Sequence, residues 1–136
     1  MKVIVFVKAT KDSEAGVMPN REILTEMGKF NEELVKAGVM LSAEGLHPTS
    51  RGIRVQFAGS GRTVTKGPFT ESSELIAGFW MWKVKSMDDA IEWIKRSPFQ
   101  HEQVEIRPVF EPDDFGEALT PELREQEARL RAQAAG

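Results

Sequence analysis

Leu75-Ile76-Ala77-Gly78-Phe79-Trp80-Met81-Trp82-Lys83-Val84 is the most apolar run of the chain. Residues two apart share a face of an extended strand, so Trp80 and Trp82 point one way and Phe79 and Met81 the other. A strand that is apolar on both faces must be covered on both. Lys2-Val3-Ile4-Val5-Phe6-Val7-Lys8 has the same character and reads as a second central strand. Between these two, Ile23, Met27, Phe30, Leu34 and Ala37 recur at helical spacing over Arg21 to Lys36, and Gly38 suits the residue that ends a helix. Val39 to Leu46 resumes an extended pattern, with Ser42 and Glu44 on one side and Leu41 and Ala43 on the other. Ile53, Val55 and Phe57 then alternate with Arg54 and Gln56, Ala58-Gly59-Ser60-Gly61 reverses the chain, and Arg62 to Thr65 runs back as a hairpin. After the central run, Ser86 and Asp89 open a helix carrying Met87, Ala90, Ile91 and Ile94, which Pro98 stops. Val104 and Ile106 alternate with Glu105 and Arg107 in a last strand.

The order strand, helix, strand, hairpin, strand, helix, strand predicts the α+β class. It is a ferredoxin-like βαβ-βαβ arrangement with an inserted β-hairpin, an antiparallel sheet and helices on one face. The other face would be bare, and a second copy of the sheet is its simplest cover, so a homodimer through the open sheet face is expected. Residues 1–111 form this domain, and residues 112–136 form an acidic extension, helical from Pro121.

With 136 residues and 40% apolar content, one core-bearing domain is expected. The chain has no cysteine, which excludes disulfides, thiolate metal sites and thiol nucleophiles and points to a cytoplasmic protein. Only five apolar residues separate Lys2 from Lys8, too few for a signal peptide or a membrane span. The net charge of −3 is concentrated from Glu111 onward, where seven acidic residues face three arginines. Nucleic acid is therefore not an expected partner, since neither the body nor the tail is basic.

The turn Lys66-Gly67-Pro68-Phe69-Thr70-Glu71-Ser72-Ser73-Glu74 feeds the central strand. Glycine permits backbone angles closed to other residues and proline fixes its own, so this turn is expected to hold Glu71 and Glu74 at the sheet edge. Two carboxylates sharing a poorly solvated pocket separate in pKa and supply an acid and a base, which makes Glu71 and Glu74 the catalytic candidates. The bland alternative is that they cap backbone N–H groups or pair with Lys66, Arg54 or Arg107. Candidate ligand contacts are Glu44, His47, Lys66, Trp80 and Arg107: His47 as an accessible imidazole at a strand end, Trp80 as an aromatic wall, Arg107 as an anchor for an anion. No metal site and no cofactor are expected, because His47 and Glu44 supply only two ligands and there is no phosphate-cradling glycine loop.

Phe30-Asn31-Glu32-Glu33-Leu34 with Ala37-Gly38-Val39, Glu44-Gly45-Leu46, Gly67-Pro68-Phe69 with Glu71 and Glu74, Gly78-Phe79, Asp89-Ala90 with Glu92-Trp93, and Glu105-Ile106-Arg107-Pro108-Val109 occur in one order along the body. Taken together they resemble the YCII-related proteins of the DGPF-domain branch, within the dimeric α/β barrel superfamily. The resemblance implies a sheet-to-sheet dimer enclosing a barrel, used either to bind small molecules or for cofactor-light chemistry on small, often aromatic ones. Lys66 stands where the motif has Asp and Ala77 where it has Gly, so a proton transfer assigned to that acid is not carried over. Neither His47 nor His101 stands where the His–Asp pair of the dehydrochlorinase-like relatives has its histidine. The expectation is a homodimeric small-ligand-binding or regulatory module with its pocket at the barrel. The alternative is a cofactor-independent lyase or isomerase using Glu71 and Glu74, and a third reading has the acidic tail docking on another chain.

Overall fold

The computed structural model describes residues 1–70 and 74–136. Strand β1 (Lys2–Lys8) is followed by a short helix α1 (Lys11–Glu14), helix α2 (Arg21–Lys36) and strand β2 (Met40–Gly45). Among the described residues, strands β3 (Ile53–Ala58) and β4 (Gly61–Lys66) pair only with each other. Strand β5 (Ile76–Lys83), helix α3 (Met87–Lys95), strand β6 (Val104–Pro108) and helix α4 (Pro121–Ala135) complete the order. The main sheet has four strands in the order β2-β5-β1-β6, every neighbour antiparallel, which is the ferredoxin-like arrangement.

Local chemistry sets the helix ends. The Ile23 N–H donates to Asn20 Oδ1 at 2.9 Å, the Asp89 N–H to Ser86 Oγ at 3.1 Å, and the Leu123 N–H to Thr120 Oγ1 at 3.2 Å. Gly38 takes the left-handed conformation (φ +72°) that lets α2 stop and turn into β2. Helices α2 and α3 cover one sheet face. There Val3, Val5, Trp80 and Trp82 meet Phe30 and Leu34 from α2 and Ala90 from α3 in the core. The rings of Phe30 and Trp80 meet edge to face with centroids 5.9 Å apart.

Among the described residues, no helix covers the opposite sheet face. The register sets Ile4 against Met81 and Phe6 against Phe79 in its middle, with Arg107 beside Ile4 and with Glu105 and Glu44 in the same row as Phe6 and Phe79. Its four central side chains are half-buried, and Lys8 Nζ lies 3.3 Å from Glu105 Oε1 at the margin.

The edge strand departs from simple alternation. A register irregularity between Met40 and Ser42 turns Met40 and Ala43 toward the core and leaves Leu41 49% exposed. The expected grouping of Leu41 with Ala43 is therefore wrong, because the extra residue in the ladder moves Leu41 off the core face.

Candidate functional site

A cleft of about 370 Å³ opens at the end of the sheet where β1 and β2 finish and β5 begins. Its origin is a missing pair of side chains. The register aligns Val7, Gly78 and Gly45 across three strands on the helix-covered face, in the row beyond Val5, Trp80 and Ala43. Where the row next to it carries an indole, this one carries two glycines, and the helices do not collapse into the gap. Val7, Ala43 and Trp80 form the sheet side of the cleft, Met27 and Asn31 of α2 its roof, and Phe99 one end.

The two glycines are not equivalent. A Cβ on Gly78 would lie 2.9 Å from the Glu44 carbonyl oxygen, so the close approach of β2 and β5 requires glycine there. A Cβ on Gly45 would meet nothing within 4 Å. The cleft is thus enterable from position 45 without disturbing the backbone.

One polar side chain is held in the lining by a specific bond. Trp80 Nε1–H donates to Asn31 Oδ1 at 3.0 Å, which commits the amide oxygen and leaves the Asn31 NH₂ as the donor available to a guest. Glu44 and Phe79 also line the cleft, but the register turns their side chains to the opposite sheet face, so their share is main chain. Among the described residues, no charged side chain is directed into the cleft from its lining.

A second structured feature lies at the base of the hairpin. Glu14 holds Thr49 twice: its Oε1 accepts from the Thr49 N–H at 3.0 Å and its Oε2 from the Thr49 hydroxyl at 2.6 Å. Thr49 Oγ1 in turn accepts from the Phe69 N–H at 3.0 Å, and the Gly67 N–H donates to Gly52 at 2.9 Å. Gly67 is not among the glycines with positive φ, which corrects the expectation that it serves special backbone angles. It is needed for proximity, since a Cβ there would lie 1.7 Å from the Thr49 carbonyl oxygen. The Arg54 guanidinium lies 3.9 Å from the centre of the Phe69 ring and caps this junction.

The residues singled out from the sequence are dispersed over these features. Trp80 is buried and walls the cleft, and Glu44 contributes backbone to it. Glu74 is exposed at the entry to β5, and Lys66 is exposed at the end of β4 opposite Ile53. His47 is exposed, with its ring 3.2 Å from Arg51 Nη1. Arg107 stands on the edge strand β6, three strand spacings from Glu44 on the other edge, a separation of at least about 14 Å. Glu71 lies outside the described residues. No group of three metal-ligating side chains occurs among the described residues. No helix among them is long and apolar enough to cross a membrane.

The sequence reading missed Asn31, the Gly45–Gly78 pair and Glu14. Asn31 had a usable signal: it follows Met27 by four residues on the apolar stripe of α2, where a polar side chain is out of place unless something inside pairs with it. Among the described residues, the one carboxyl with a shifted pKa is also elsewhere. Burial pushes Glu102 up, but the N–H groups of His101, Gln100 and Glu102 itself, with the charge of His101, outweigh it and hold the carboxyl below its ordinary value.

The family model of the YCII-related domain matches residues 1–113 of the chain. No curated protein matches it.

Proposed function

The chain belongs to the YCII-related domain family, and from that premise we propose that it is a small-ligand-binding module, homodimeric through its open sheet face. The ligand is a flat, largely apolar molecule bearing one hydrogen-bond acceptor. The observation that carries this reading is the cleft built over Gly45 and Gly78, with aromatic and aliphatic walls and a single oriented donor, Asn31. Pockets of this size with few, placed polar groups suit small organic ligands. The uncharged lining favours binding over proton transfer, because a general acid or base must reach the reacting atom within hydrogen-bond distance. The open face supports the dimer: Ile4, Phe6, Phe79 and Met81 form an apolar centre with Glu44, Glu105 and Arg107 around it, the distribution of an interface core and rim.

Coumarin, a neutral bicyclic molecule with a carbonyl acceptor, is a suitable probe. Titration into the ¹⁵N-labelled protein is expected to shift the amides of Ala43, Gly45, Gly78 and Phe99. Gly45→Leu places a side chain in the cleft and is expected to abolish those shifts without lowering the melting temperature. Shifts that persist in Gly45→Leu, or that map away from the cleft, would refute the binding site. A monomer by analytical ultracentrifugation at 100 µM, a concentration set by the test, would refute the dimer separately.

A further inference from the structure

Among the described residues, two parts of the chain stand away from the core. In the β3–β4 arm every residue is exposed, and the register sorts its side chains cleanly. Ile53, Val55, Phe57 and Val64 share one face, flanked by Arg62 and Lys66, while Arg54, Gln56, Thr63 and Thr65 occupy the other. The arm from Ile53 to Lys66 carries three basic residues and no acidic one. A two-stranded hairpin with a bare apolar face is marginal in water on its own.

The second part is the segment after β6. Phe110 and Phe115 stack with centroids 5.0 Å apart yet stay exposed, and among the described residues α4 makes no extended packing against another element, its Arg124 reaching Asp113 at 3.1 Å within the same segment. Leu123 and Leu130 lie two turns apart on one side of α4, both about half exposed. From Glu111 onward the net charge is −4. A solvated helix of this length with so weak an apolar stripe is also marginal alone.

We infer that the basic, apolar face of the β3–β4 arm docks the acidic C-terminal segment, residues 111–136, of a second copy of this chain. Charge complementarity selects that occupant: the arm is purely basic and the segment strongly acidic, and each offers aromatic and aliphatic side chains beside its charges. The lengths match, since six-residue strands span about 20 Å and the fifteen residues of α4 span about 22 Å. Topology selects a second copy over the same chain. The arm leaves the sheet at the Val7 and Gly78 end, whereas the segment leaves β6 after Pro108, beside Val3 at the other end and on the opposite edge. A two-fold axis in the plane between the two sheets and diagonal to the strands exchanges both the ends and the edges, so the contact forms twice, once in each direction.

The test uses the full chain. It contains no cysteine, so Ala128→Cys accepts a single nitroxide on α4. Unlabelled protein carrying that nitroxide is unfolded together with ¹⁵N-labelled wild type and refolded, so that the two copies are shuffled. The amides of Ile53 to Lys66 are expected to lose about half their intensity or more, and the loss is expected to disappear when the ¹⁵N chain carries Arg62→Glu and Lys66→Glu. Adding Glu122→Lys and Glu125→Lys to the nitroxide chain is expected to restore it. Three results would overturn the inference: an arm untouched in the mixture, attenuation only when nitroxide and ¹⁵N share one chain, or attenuation unchanged by the charge reversals. A dimer made by the sheet face alone gives the first of these.

Discussion

Gly67→Ala tests the idea that the arm is fastened by backbone proximity. The new Cβ would stand 1.7 Å from the Thr49 carbonyl oxygen and 2.6 Å from its carbon, both of them main-chain atoms that no rotamer change can remove. Relief requires the two strands of backbone to separate by more than 1 Å, to about the 3 Å at which Cβ contacts begin to occur. That movement stretches the Gly67–Gly52 bond at 2.9 Å and the Phe69–Thr49 bond at 3.0 Å past useful length. Two such bonds are worth about 1 kcal/mol each. Loosening Arg54 from the face of Phe69 adds about 0.5–1 kcal/mol. The sum is about 2.5–3 kcal/mol, or roughly a 60- to 140-fold rise in the open population at about 1.4 kcal/mol per decade. Amide hydrogen exchange measured by NMR at Thr49, Gly67 and Phe69 should accelerate by that factor, while the core amides of Val3, Val5 and Trp82 change by less than about threefold. Exchange at Thr49, Gly67 and Phe69 within about threefold of wild type would refute the reasoning, since it would mean the junction accommodates a methyl group.

Glu14→Ala removes both carboxylate contacts to Thr49 and should loosen the same three amides, by about 1–2 kcal/mol, without altering the Gly67–Gly52 contact; unchanged exchange at Thr49 would count against the anchor. Trp80→Phe deletes the indole N–H, leaves Asn31 Oδ1 without its donor and shortens one cleft wall, so urea unfolding should show a loss of about 1–3 kcal/mol. A loss below about 0.5 kcal/mol would show that the Asn31 bond contributes nothing. Glu102 sets a pH dependence whose sign follows from its lowered pKa. Its contribution to stability is full above the ordinary carboxyl value of 4.5 and is lost as pH falls through the lower folded value. Glu102→Gln should therefore be less stable than wild type at neutral pH, with the gap closing as the pH drops below that range; a gap independent of pH would contradict the assignment.

The parts of this fold that could be read from the sequence are those with long, clean periodicity. The boundaries of β1 at Lys2–Lys8 and α2 at Arg21–Lys36 follow from an apolar run closed by two lysines and from the three- and four-residue spacing of Met27, Phe30 and Leu34, and the hairpin from Ile53, Val55 and Phe57 around a glycine turn. Helix α1 escaped because four residues carry no period, although Thr10 and Ser13 do cap each other's backbone at its start. Leu41 was misplaced because a register irregularity is set by the partner strand and leaves no mark on one strand's own pattern. The site was less legible than the fold for a related reason. Charged residues draw the eye, and Glu74, His47, Lys66 and Arg107 proved to be exposed at separate places. The cleft is instead made by what two glycines lack, and the contacts that organise it and the arm join Asn31 to Trp80 and Glu14 to Thr49 across 49 and 35 residues. No local window contains such pairs.

The two glycines of the cleft floor also separate what this scaffold can change from what it must keep. Gly78 is locked by the neighbouring carbonyl of Glu44, so substitution there is felt by the sheet itself. Gly45 sits on an edge strand with open space above it and an ordinary backbone angle, so a side chain placed there projects into the cleft. Cleft depth is accordingly adjustable at one codon with little consequence for folding: alanine trims it, valine narrows it, leucine closes it. A lineage built on this sheet can reshape or close the cleft by a single step that leaves the core of Trp82, Leu34, Val3 and Val5 untouched.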